Sequence, residues 1–99
     1  MTTIRWTESA RADLRAIHAY VSRDSQIYAR RLVEKIKHSV ARLRRFPRSG
    51  GMVLEWEKED VREIPVGNYR VIYRLQDNRV IVLTVIHAAR QLPDLPPVS

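Results

Sequence analysis

Glu63, Arg70, His87 and Arg90 are the residues of this sequence whose types and spacing could act on a phosphodiester. An arginine fork holds a phosphate through two parallel hydrogen bonds and stabilises charge on a phosphoryl transition state. A histidine or a glutamate can take a proton from a ribose 2′-hydroxyl or give one to a leaving oxygen. Together they would suit metal-independent RNA cleavage. With three histidines and no cysteine, the chain has little from which to build a structural zinc site, and no metal or cofactor is expected. A cross-strand ion pair of little energetic weight accounts equally well for Glu63 and Arg70.

Whether the four meet depends on the strands that carry them. "VREIPV", "YRVIYRL" and "VIVLTVIH" read as three strands, separated by "GN" and "QDNR", short enough to force antiparallel pairing. In "GNYRVIYRL" Tyr69, Val71, Tyr73 and Leu75 alternate with Arg70, Ile72 and Arg74, so the two sets face opposite ways. With Asp77–Asn78 as a two-residue turn, Arg70 lies opposite Val85 and Asn68 opposite His87. With Val66–Gly67 as the other turn, Glu63 lies opposite Arg70. His87 is then one diagonal step from Arg70, roughly 7–8 Å between backbones, and Arg90 follows the last strand. A one-residue slip in either hairpin would send these side chains to the other face.

The N-terminal half must cover one face of that sheet. "TTIRW" is a short strand. Thr7 can cap a helix whose stripe is Ala10, Leu14, Ile17 and Val21. Ser25 can cap a second, with Ala29, Leu32, Val33, Ile36, Val40 and Leu43 on one side and Pro47 as its stop. So short a link makes an antiparallel helical hairpin. "MVLEWEKED" is a strand or an ordered loop. The expected fold is α+β, a short N-terminal strand and a helical hairpin packed on a small, mostly antiparallel sheet. Its core is expected at Leu14, Ile17, Val21, Leu32, Ile36, Val40, Leu43, Tyr69, Val71 and Tyr73. The other face should be open, with Arg70 and Arg74 towards solvent. Residues 1–91 read as one domain and 92–99 as a Pro-rich irregular tail.

The net charge of +7 is not spread evenly. Residues 30–48 hold eight Lys/Arg against one acid, Glu34, so this window alone carries the whole excess. Arg30, Arg31, Lys35, Lys37, Arg42, Arg44 and Arg45 are the candidate partner-binding residues, facing a polyanion or an acidic protein. A solvated helix face is the plainer reading. No segment has signal-peptide or membrane-span character, and the lack of cysteine excludes a disulfide scaffold and suits a reducing cytoplasm.

The motifs "FPRSG", "REIPVGNYRVIYRL" and "VLTVIHAAR", with "DLRAIHAYV" before them, resemble the RelE/ParE superfamily of bacterial toxins over roughly residues 6–90. The resemblance implies the toxin half of a toxin–antitoxin pair. Its partner would be a ParD-like antitoxin with an acidic, amphipathic C-terminal segment, bound in a hetero-oligomer. RelE-like members cleave mRNA on the ribosome; ParE-like members inhibit DNA gyrase. Arg70 and Arg90 match the two arginines of the RelE-like pattern. That pattern also has lysines on the strand before "GYR" and a tyrosine beyond the second arginine. Here the strand reads "VREIPV" and the tail "QLPDLPPVS", with neither. Related nucleases use glutamate and histidine, which keeps Glu63 and His87 as alternatives. "VGNYRVIYR" and "HAAR" are closer to ParE-like sequences, which favours gyrase over the ribosome and mRNA. A non-toxic nucleic-acid-binding module, using the second helix, is the third reading.

Overall fold

The computed structural model describes residues 2–90 and 92. The chain runs β1 (Thr3–Trp6), α1 (Glu8–Ser22), α2 (Gln26–Ala41), a 3₁₀ turn (Arg42–Arg44), β2 (Gly51–Met52), β3 (Val61–Val66), β4 (Tyr69–Gln76) and β5 (Arg79–His87). Both helices start at the expected caps. Thr7 Oγ1 accepts from Ala10 N at 3.0 Å and Ser25 Oγ from Tyr28 N at 3.1 Å. Each bond satisfies an amide that has no partner inside its helix. α2 does not run on to Pro47; its last turn tightens and delivers Leu43 to the core.

The strands form one sheet in the order β1-β5-β4-β3-β2, with β1 parallel to β5 and the other pairs antiparallel. The helical hairpin covers one face, as expected for this α+β fold. Leu14, Ile17, Leu32, Ile36, Val40 and Leu43 pack there against Val71, Tyr73 and neighbours from β3 and β5. Val21 and Tyr69, also expected in the core, are only half-buried at its margin. Tyr73 ties this core to "FPRSG": its hydroxyl donates to Pro47 O at 2.8 Å and accepts from Gly50 N at 3.0 Å. A Cβ on Gly50 would lie 2.6 Å from both Glu63 O and Tyr73 Oη, so only glycine fits.

The opposite face is not open, contrary to expectation. Val53 and Trp56, from the segment between β2 and β3, and Leu92 pack over Val61, Ile72, Ile81 and Leu83. Residues 53–60 thus form a strap across the sheet. Arg74, expected in solvent, is partly buried beneath it, with Nε 3.5 Å from Asp60 Oδ2. The Pro-rich tail, apart from Leu92, lies outside the described residues.

Both hairpin registers depart from expectation, with different results. The β3–β4 turn is Gly67–Asn68, with Gly67 at φ +58°, so Val66 pairs with Tyr69 and Glu63 with Ile72. That is a slip of two residues, and two leaves every side chain on its expected face. In β4–β5 the outer pairs run as expected from Gln76–Arg79 to Tyr73–Val82. Then Ile72 pairs with Thr84, and Leu83 is an extra residue, a bulge. Beyond it the register has moved by one: Arg70 lies opposite Ile86 and Tyr69 opposite His87.

Candidate functional site

Glu63 and Arg70 meet, and a third residue joins them. Arg70 Nε donates to Glu63 Oε1 at 2.6 Å and Nη2 to Glu63 Oε2 at 2.9 Å. The other side of the fork reaches the strap: Nη1 donates to Glu55 Oε2 at 2.8 Å and Nη2 to Glu55 Oε1 at 2.9 Å. The Arg70 side chain is only 14% exposed. Its hydrogen bonds to Glu63 and then Glu55 push its pKa further upward, and the bond from Arg70 holds the Glu55 carboxyl below its ordinary value. The group carries one positive and two negative charges. A phosphate approaching Arg70 would meet two carboxylates that already fill both edges of the fork. Chemically this is a clasp that fastens the strap to β4. Glu55 was missed from sequence because its segment had no periodic pattern to place it.

His87 is not part of this group. The bulge turns it to the helical side, where its ring stands edge-on to Tyr69, with centroids 5.3 Å apart. Ala89 N donates to His87 Nδ1 at 3.1 Å, so the neutral ring carries its proton on Nε2. Asp13, on α1, holds the bulge: its Oδ2 accepts from Thr84 Oγ1 at 2.6 Å and Val85 N at 2.9 Å. Those bonds satisfy the strand where its ladder is interrupted. Arg90 is exposed just past the strand and lines, with His87, Tyr69, Tyr20 and Asp13, a groove of about 470 Å³ on the helical side. The four candidate catalytic residues therefore divide into two pairs on opposite faces, Glu63 with Arg70 and His87 with Arg90. Among the described residues no group of three or more His, Cys, Asp or Glu side chains is placed to hold a metal ion.

The seven candidate partner-binding residues are all exposed but do not share one surface. Lys37 turns to the cleft between α1 and α2, where Trp6, Leu14 and Val33 form an apolar floor and Arg11, Arg15 and His18 complete the rim. This cleft measures about 540 Å³. Arg44 sits with Lys37 beside Ile4 and Trp6. Arg30, Arg31, Lys35 and Arg42 line a shallow hollow on the outer side of α2. Arg45 borders none of these hollows.

Residues 4–92 match the sequence profile of the ParE toxin of the type II toxin–antitoxin system parDE. A Sinorhizobium fredii protein named as a candidate toxin, Y4kP, is 35% identical over 94 residues, covering 93% of this chain and 94% of that one. Toxin RelE2 of Caulobacter vibrioides is 31% identical over 90 residues, covering 91% and 99%. In fold, the chain is similar to one from the chromosomal ParDE system of P. aeruginosa, with TM-score 0.73, 24% identity and coverage of 88% and 96%. A chain of the RelBE2 toxin–antitoxin complex of Mycobacterium tuberculosis gives TM-score 0.66 and 27% identity, with coverage of 87% and 96%.

Proposed function

Because this chain belongs to the ParE toxin family of type II toxin–antitoxin systems, we propose that it arrests growth in the cytoplasm by inhibiting DNA gyrase. The observation that carries this reading is the state of Arg70. An arginine poised for phosphoryl chemistry should face the substrate with its fork open. Here the fork is filled by Glu63 and Glu55, so one candidate proton carrier, Glu63, is held in the ion pair, and the other, His87, faces the other way. Purified chain should inhibit supercoiling by purified gyrase and leave mRNA intact in a translation extract. Ribosome-dependent cleavage by the wild type, lost in folded Arg70→Ala, would overturn the reading in favour of an mRNA endonuclease.

The same reading includes a cognate antitoxin. The α1–α2 cleft, apolar at its floor and cationic at its rim, fits one face of an acidic amphipathic helix. Such a segment folds as it binds and so covers a large area with few residues. Charge on the rim would raise the association rate, which should fall as salt is added.

A further inference from the structure

We propose that the outer face of α2 is a second interaction surface, separate from the α1–α2 cleft, and that it binds the phosphate backbone of duplex DNA. Arg30, Arg31, Lys35 and Arg42 occupy this face over about 18 Å of helix. The opposite side of α2 is fixed in the core through Ala29, Leu32, Ile36 and Val40, so the cations are presented on a rigid support. None of these four side chains is in an ion pair or side-chain hydrogen bond among the described residues. Arg70 and Arg74, by contrast, are paired. Glu34 is the single acid within the row.

The lining of the hollow decides between occupants. It contains no apolar side chain between residues 30 and 42, so it lacks the dehydrated centre on which a protein partner would pack. Its one ring is the imidazole of His38, with no Phe, Tyr or Trp beside it. Single-stranded nucleic acid is held largely by successive bases stacking on several aromatic side chains, and a single imidazole does not make such a platform. What remains is a row of unpaired cations suited to a regular array of phosphates. A convex helix face can be set against the major groove of B-form DNA, whereas the deep, narrow groove of an RNA duplex does not admit one. The surface is distinct from the cleft assigned to the antitoxin, so DNA and antitoxin can be bound together.

The test is fluorescence anisotropy of a short labelled DNA duplex with the full chain, titrated at several salt concentrations. Four phosphate contacts give a slope of log K against log salt of about −3.6, which weakens binding about a hundredfold between about 50 and 200 mM salt. Arg31→Glu with Lys35→Glu should weaken binding by about tenfold or more and reduce the slope to about −2. Arg5→Glu with Arg79→Glu changes the net charge equally, at exposed sites on β1 and β5, and should leave binding nearly unchanged. Alanine versions of Arg31 and Lys35 repeat the comparison should the reversed charges unfold α2. Equal loss in the two double variants would mean that net charge alone binds DNA, and would overturn the proposal. So would no binding at low salt, or tighter binding to single strands or to an RNA duplex of the same length.

Discussion

The helical face of the sheet and its opposite face are both covered, by different means. On the first, two capped helices bring a broad apolar stripe over β4 and β5, and Tyr73 locks the following loop through Pro47 and Gly50. On the second, an irregular strap covers a smaller cluster with Val53 and Trp56, and a charged clasp fastens it. A helical layer is held by many contacts and yields only when the fold does. A strap of this length has few anchors and can open locally. The arginine that a nuclease would use serves here to hold the weaker of the two covers.

Truncation at the helical face should have the largest effect. Tyr73→Ala is expected to cost roughly 3–5 kcal/mol, since it removes a fully buried ring and frees two backbone partners. Urea unfolding would measure it, and a loss below about 1 kcal/mol would mean that this face is not the stronger. Burial also raises the Tyr73 pKa, so the folded state favours the neutral phenol. Stability from this group is intact below the unfolded value of about 10 and is lost as pH rises through the higher folded value.

Trp56→Ala sharpens the contrast. Its cost should be smaller, up to about 3 kcal/mol, because the strap can detach while the helices stay packed. Hydrogen exchange should quicken in residues 53–60 and hardly change in α1 and α2. Uniform loss of protection would show that the strap is integral to one cooperative unit.

How far the sequence anticipates each face follows from periodicity. Ala10, Leu14 and Ile17, and Leu32, Ile36 and Val40, recur at helical spacing and are buried as expected, while Val21 and Val33 of the same stripes are only half-buried. The strap has no such period; a local turn closes it, with Trp56 N and Glu57 N donating to Val53 O, and long-range contacts set where Glu55 and Trp56 lie on the sheet. A trace of it was nonetheless present in β5, where Val80 to Val85 are all buried. A strand that is apolar on both sides must be covered on both sides. The clasp between Glu63 and Arg70 was legible because a two-residue slip preserves the face. The placement of His87 was not, because the bulge at Leu83 depends on Asp13, some seventy residues earlier in the chain.

Arg70→Ala tests the clasp itself. It leaves Glu55 and Glu63 without their shared cation, at an expected cost of about 1–3 kcal/mol, between a surface pair and a buried one. Arg70→Lys should recover part of this, since a point charge can face both carboxylates but cannot fill both edges of a fork. On the proposed gyrase reading, inhibition by the folded variant should match that of the wild type. Its loss with the strap still closed would give Arg70 a role at the target.

The smallest effect expected is the pH response of Glu55. Its folded pKa is depressed, first by the hydrogen bond from Arg70. Stability from this group is therefore present above the unfolded value of about 4.3 and is lost as pH falls through the lower folded value. The Glu55 side chain is 38% exposed, so solvent screening should leave at most about 0.5 kcal/mol. Wild type and Glu55→Gln should then differ by a constant amount between pH 7 and about 5 and converge as pH falls through the lower folded value. About 1 M salt should shrink the gap at neutral pH. The strap, rather than the helices, should carry the change, read as faster exchange at residues 53–60. A gap that persists undiminished at low pH would assign the Glu55 contribution to packing of its side chain and leave Glu63 as the only electrostatic partner of Arg70.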